Sequence, residues 1–332
     1  MRITACVILA GLTGLYPASA AAADAPDCRL KQFNSIAITL TPDGDRALVP
    51  VTLNGSEKMF LLDTGGAATQ ITPAAAADLK LVLTESDVKM LDLYGNASTR
   101  AARVASLTLG RMNDKNTTLP ILPETFGDKA PFVGLLAADY MANYDVELDF
   151  SGGKMNYFSP DHCEGKVVYW PATAGTAVPM RFVDHHLTLQ VTLDGKNLKA
   201  EIDTGAPDTT LSASAARQIF GLTADTPGGK TLYEDRGAKA FEHIFQKLSF
   251  EGLEVNNPHI LVLPDKVGSR DANNDFVTGS RLHRVDDPDS SDPVMLIDMN
   301  ILSKLHLYIA FSEHKIYITP ASASAAPQRP QQ

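Results

Sequence analysis

Two stretches of this chain decide its reading: Leu61-Leu62-Asp63-Thr64-Gly65-Gly66 and Glu201-Ile202-Asp203-Thr204-Gly205-Ala206. They lie 140 residues apart, and the same offset aligns their surroundings without a gap. Val51-Thr52-Leu53-Asn54-Gly55 falls on Val191-Thr192-Leu193-Asp194-Gly195, Thr69 on Thr209, and Ala75-Ala76 on Ala215-Ala216. Farther along the offset becomes 141, where Leu122-Pro123-Glu124 falls on Leu263-Pro264-Asp265. Near the ends of the halves it is 161, with Leu136 on Ile297 and Phe150-Ser151 on Phe311-Ser312. The change places a 20-residue insertion in the second half, between Asp265 and Val294. Residues 266–293 are acidic with little apolar periodicity and read as a long surface loop. A repeat of this kind predicts two similar lobes about a pseudo-twofold axis, with whatever lies on the axis present twice.

The local pattern is mostly β. Asn54-Gly55 and Asp194-Gly195 are two-residue hairpin signals. Residues 35–40 and 47–53 alternate, and residues 59–62 and 198–202 run as strands into the two triplets. A short helix follows each triplet, over 73–79 from Thr72 and over 213–220 from Ser212. Residues 154–158, 167–170, 178–182 and 305–318 read as further strands. His185-His186 reads as a turn and strand start, without the spacing of a helical metal pair. Residues 321–332 are polar and proline-rich and predict a frayed tail.

Length and composition bound the function. The 332 residues suit two lobes, and 44% hydrophobic with 20% charged residues suits a globular protein. A net charge of −10 argues against a nucleic-acid partner, whose phosphates need a basic face. Arg2, the apolar run 5–16 and Ala18-Ser19-Ala20 read as a secretory signal over residues 1–23. That run is shorter than the roughly 20 residues that span a bilayer, so no membrane attachment is expected after cleavage. Cleavage would remove Cys6 and leave Cys28 and Cys163, an even pair that predicts one disulfide in a periplasmic or secreted protein. Two unrelated buried thiols are the alternative. The organisation expected is a lobe over 28–163 and a second over 166–320.

The two triplets, in register within a repeat and each following a hairpin and a strand, resemble the active-site loops of aspartic proteases. The bacterial retropepsin-like group with two lobes in one chain is the most similar, over roughly residues 45–320. The resemblance implies an all-β, bilobal pepsin/retropepsin-like fold with a cleft between the lobes. It also implies an exported aspartic endopeptidase acting on peptide or protein substrates, with a monomeric catalytic unit and neither metal nor cofactor. The chemistry accounts for the duplication. Cleaving a peptide bond with activated water needs one base and one acid. Two carboxyls about 3 Å apart cannot both ionise easily, so one keeps a proton while the other accepts one. Asp63 and Asp203 would be that pair. By the resemblance, Thr64 and Thr204 would hydrogen-bond across the axis, while Gly65 and Gly205 allow close backbone approach.

Several features depart from the family pattern or stay open. The family packs two apolar residues and a glycine behind each loop; here the candidates are Leu135-Leu136-Ala137 and Leu296-Ile297-Asp298. Asp298 would place a carboxyl near the packed centre. Either the alignment slips by one residue, or Asp298 finds a partner, or the second lobe has drifted. Gly66 stands where alanine or serine is usual. Tyr94 and Gly95 resemble the tip of a flap that closes over substrate, with Tyr233 at a comparable distance past Asp203; a pair of core or edge tyrosines is the alternative. Asp271-Ala272-Asn273-Asn274-Asp275 has Phe276 and Leu282 where an EF-hand loop needs glycine and glutamate, so calcium binding of that type is rejected. A rival reading is a secreted module that holds a peptide or envelope component in the groove without cutting it.

Overall fold

A computed structural model describes residues 28–91, 97–123, 130–227, 229–235, 238–264, 276–277 and 293–321. The fold is all-β and bilobal. In the first half, Ala47–Leu53 turns back at Asn54-Gly55 into Ser56–Asp63, with Leu53 opposite Ser56 and Leu48 opposite Leu61. Both turn residues take positive φ, 50° and 84°, as a primed turn requires. Ser56–Asp63 then lies parallel to Gly134–Ala137, and Gln70–Ile71 adds antiparallel to the far side of that strand. The second half repeats this with His186–Leu193, Lys196–Ile202, Met295–Ile297 and Thr210–Ser212. Each short helix is capped by the hydroxyl expected: Thr72 Oγ1 accepts from Ala75 N, and Ser212 Oγ from Ala215 N, both at 3.2 Å.

The lobes meet in one antiparallel sheet. Its strands run in the spatial order Gln32–Ala37, Lys154–Phe158, Asp145–Asp149, Leu305–Ala310, Lys315–Pro320, Thr176–Val183. At its centre Glu147 faces Tyr308. These two residues are 161 apart in sequence, the offset of the repeat, so the pseudo-twofold axis passes between them. The buried Glu147 carboxylate accepts from Asn156 Nδ2 at 2.6 Å and Tyr169 Oη at 2.7 Å, and lies 2.8 Å from His306 Nε2. The Trp170 ring stacks on His306 at 3.9 Å. A carboxyl buried at the axis thereby has a hydrogen-bond partner at each oxygen, as burial demands. One apolar core runs from lobe to lobe through this sheet.

Three local expectations need correction. Residues 167–170 form no strand. Val167 is buried and Trp170 Nε1 donates to Thr319 Oγ1 at 3.0 Å, so the apolar run packs by its side chains while its backbone joins no ladder. Over 35–40 the alternation holds, with Ile36 and Ile38 buried and Leu40 packed against the core, but the strand is not continuous: it is interrupted at Ile38, whose N–H donates to Gly153 O, between Gln32–Ala37 and Thr39–Leu40. The acidic insertion lies mostly outside the described residues, yet Phe276–Val277 is a short strand rather than loop, pairing parallel with Met90 and Leu91 of the first lobe. The signal segment 1–23, the flap candidates Tyr94 and Gly95, and residues 322–332 lie outside the described residues. The strands flanking 92–96, Val82–Leu91 and Ala97–Leu109, pair antiparallel.

Cys28 and Cys163 form a disulfide across 135 residues of chain. It lies beside the paired strands Gln32–Ala37 and Lys154–Phe158, which begin and close the first half. A bond of this kind fits an oxidising compartment. Among the described residues no helix is long and apolar enough to cross a membrane. Cys28→Ser is expected to lower thermal stability by at most about 4–5 kcal/mol, the chain-entropy value for a loop this long. Thermal unfolding with and without reductant measures it, and an unchanged Tm would show that the bridge stabilises nothing.

Candidate active site

Each triplet sits where a strand leaves its sheet. Asp63 ends Ser56–Asp63, and Asp203 follows Lys196–Ile202, its N–H held by Ile297 O at 2.9 Å. The two loops are locked to each other. Thr64 N donates to Thr204 Oγ1 at 3.0 Å and Thr204 N to Thr64 Oγ1 at 3.1 Å. Thr64 Oγ1 donates to Ile202 O, and Thr204 Oγ1 to Leu62 O, both at 2.8 Å. Both threonines are fully buried. Each hydroxyl is thus donor to one strand and acceptor from the facing loop, which fixes the separation of the two aspartates across the axis.

Asp63 and Asp203 are each 5% exposed and lie within hydrogen-bonding reach of each other. Burial first, then the charge and hydrogen bond of Asp203, then the charge of Glu201, hold the Asp63 carboxyl well above the usual carboxylate range; the Gly65 N–H acts in the opposite sense. Gly205 N donates to Asp203 Oδ1 at 2.7 Å. A Cβ on Gly205 would fall 2.4 Å from Asp63 Oδ1 and 3.0 Å from Asp203 Oδ1, so only glycine lets the two carboxyls converge. What the arrangement can do chemically is hold one proton between two acids, the condition for an acid and a base in one place.

The strands behind the loops answer the alignment question. Leu62 pairs with Leu136 and Ile202 with Ile297, so the two halves keep the same register and nothing slips. Asp298 therefore occupies the place of Ala137. It is fully buried, and neither carboxyl oxygen has a hydrogen-bond partner among the described residues. Burial, then the charges of Asp203, Glu201, Asp208 and Asp63, keep its carboxyl well above the ordinary range. The first lobe shows a compensated change instead. A Cβ on Gly66 would lie 2.9 Å from Asp63 Oδ2 and 3.1 Å from Ala137 Cβ, so the bare glycine makes room for the Ala137 methyl. The second lobe has Ala206 and Asp298 at these two places.

Asp298 carries a testable cost. Its folded-state affinity for protons is raised, so its contribution to stability is intact below the ordinary aspartate range and is lost as pH rises toward its own titration. Asp298→Ala, the residue of the twin position, is expected to raise Tm at neutral pH by the equivalent of about 1–3 kcal/mol, the cost of an unsatisfied buried polar group. Near pH 3 the gain should shrink. Equal shifts at both pH values would contradict this account.

Several supporting residues carry no signal in the triplets. Asp139 accepts from Thr69 N and Oγ1 at 2.9 and 2.6 Å, and Thr69 Oγ1 in turn accepts from Ala137 N. Asn300 and Thr209 repeat the arrangement beneath Asp298 N. Asp139 and Asn300 stand at the 161 offset, which is the signal that could have found them. His185 Nδ1 lies 2.7 Å from Ala67 O, joining a second-lobe turn to the first-lobe loop. His186 Nδ1 lies 2.7 Å from Glu201 Oε1, and Glu201 is buried. Burial alone would lower the His186 pKa; the Glu201 hydrogen bond and charge, then Asp203 and Asp184, carry it above the ordinary imidazole value.

Comparison with known proteins agrees with the repeat. The family described as aspartyl protease matches twice, at residues 49–140 and 189–280, together more than half of the chain. This chain belongs to the aspartyl protease family. Among solved structures it is similar to an aspartic proteinase from Irpex lacteus, at 10% identity and TM-score 0.50, covering 89% of this chain and 99% of that one. It is also similar to the basic 7S globulin of soybean, at 6% identity and TM-score 0.47, covering 88% of this chain and 95% of that one. At these identities the likeness concerns the fold. No curated protein sequence matches.

Proposed function

We propose that the protein is an exported aspartic endopeptidase in which Asp63 and Asp203 are the catalytic pair. The observation that carries this is the lock between Thr64 and Thr204, which holds two buried carboxyls together with Asp63 inclined to keep a proton. One carboxylate takes a proton from water as that water attacks the scissile carbonyl. The protonated carboxyl donates to the carbonyl oxygen, and the proton gained by the first carboxylate then passes to the departing amine. Thr64, Gly65, Thr204 and Gly205 position the pair, and Tyr94 with Gly95 would form the lid. The two lobes, 28–163 and 166–320, each supply one acid, so one chain suffices for one site. The Cys28–Cys163 bond supports export to the periplasm or beyond after loss of residues 1–23.

The test is incubation of the purified protein with a denatured protein from acid to neutral pH, with and without a statine-type transition-state mimic. Cleavage suppressed by the mimic is expected. Tight peptide binding with no cleavage at any pH would favour the non-catalytic module instead.

A further inference from the structure

The helix that follows each triplet ends differently in the two lobes. In the second lobe Gly221 ends it in the left-handed conformation, at φ 69°. In the first lobe Lys80 takes that conformation, at φ 50°. The places correspond, because Leu81 N donates to Ala76 O as Leu222 N does to Ala216 O. Glycine adopts this backbone freely, whereas lysine does so at a cost. Strand register carries the comparison onward at the offset of 141. Arg103 pairs with Thr118 as Ile244 pairs with His259. Ile121 N donates to Arg100 O, and the twin residues Val262 and Phe241 are likewise partners. Lys80, Arg100 and Arg103 thus stand where the second lobe has Gly221, Phe241 and Ile244. Leu79 and Val104 stand where it has Phe220 and Phe245, whose rings meet edge to face at 5.1 Å.

These exchanges leave open space in the first lobe. A depression of about 730 Å³ is lined by Lys80, Leu81, Val82, Arg103, Val104 and Thr118 among others. A second, of about 390 Å³, shares Lys80 and Leu81 and adds Leu83 and Arg100. Both volumes are of the size that accepts a bound group. No carboxylate lines either depression. Asp78 is held by Lys58 at 2.9 Å, and Glu85, opposite Arg100 across the strands, accepts from Thr99 Oγ1 at 3.3 Å instead. The three cations are exposed and have no ion-pair partner among the described residues. In a chain of net charge −10, such a patch beside apolar walls selects an anion that carries an apolar group.

A strand edge adjoins this space. Over Val82–Glu85 the strand Val82–Leu91 pairs on one side only, with Ala97–Leu109. On its other side the described neighbour, Phe276–Val277, reaches only Met90 and Leu91. Val82 and Leu83 are 64% and 46% exposed. An unpaired edge of this kind accepts an added strand.

We propose that this edge and the two depressions form a docking site for an extended acidic polypeptide segment with an aromatic residue. Its backbone pairs along Val82–Glu85, its ring enters the space equivalent to that filled by Phe220 and Phe245, and its carboxylates meet Lys80, Arg100 and Arg103. The site is separate from the aspartate pair, since no residue of either triplet lines it, and it does not rest on the peptidase reading.

The probe is a short fluorescein-labelled peptide in which aspartates flank phenylalanines, titrated by anisotropy against the whole protein with and without the statine-type mimic. Peptides with lysine for aspartate, or alanine for phenylalanine, should bind about tenfold more weakly or worse, the scale of a charged hydrogen bond or a filled pocket. Lys80→Gly and Arg103→Ile copy the twin residues. Lys80→Gly should weaken binding several-fold while Tm holds or rises, because it relieves the left-handed backbone; the double variant should lose about tenfold or more. Amide hydrogen exchange over Val82–Glu85 should slow when the peptide binds. Equal binding of the three peptides, undiminished affinity in the double variant, or exchange unchanged at this edge would overturn the inference. Loss of binding when the mimic is added would place the peptide at the aspartate pair and overturn it too. A dimer of the peptide-free protein in sedimentation, dissolved by Arg103→Ile, would assign the face to a second copy and equally overturn it.

Discussion

Asp63→Asn and Asp203→Asn are each expected to lower kcat by about a thousandfold or more, in the range of lost general acid–base catalysis, while folding is retained. Each substitution keeps the size of the side chain but removes one of the two acids that must divide the work. The effects should not add: the double variant should be about as inactive as either single one, because the pair acts as a unit. Steady-state rates on an unfolded protein substrate, with thermal unfolding as the control for structure, check this. Wild-type activity in either single variant would sink the assignment of that residue.

Gly205→Ala should be nearly as damaging to activity, by about a hundredfold, through geometry alone. The added methyl would meet Asp63 Oδ1 at 2.4 Å and Asp63 Cγ at 2.6 Å. The side chains can swing away, so the fold survives, but the two carboxyls can then no longer converge on one water. Misplacement by about 1 Å is enough for losses of this size. The informative readout is kcat rather than KM, since the methyl lies against the reacting groups and not along the strands that would hold substrate. Unchanged kcat would show that the aspartates do not act from the positions seen here.

Much of this architecture is legible in the sequence because it is written twice. The 140-residue offset pairs the hairpins, the strands that carry the triplets and the two capped helices, and each of these elements has its own turn or cap chemistry. What holds the lobes together is not legible in the same way. The pairing of Glu147 with Tyr308 joins residues far apart in the chain, and no local signal specifies a ladder of that range. Residues 167–170 form no strand for the converse reason: a Val-Val-Tyr-Trp run has strand composition, but composition does not specify whether a backbone finds a partner. Asp298 is visible as an oddity in sequence; that it is in register and lacks a hydrogen-bond partner follows only from the sheet around it. The contact of His186 with Glu201 was within reach, since the Asp194-Gly195 turn sets a register in which Thr188 meets Glu201.

The central claim is that two half-sites make one acid pair. Calorimetric titration of the wild type with a statine-type transition-state mimic tests it most directly, run in two buffers of different ionisation enthalpy so that proton transfer is read with binding. One mimic bound per chain is predicted, with a proton linkage that disappears, along with tight binding, in both Asp63→Asn and Asp203→Asn. Two independent sites per chain, or tight binding undiminished when either aspartate is replaced, would contradict it.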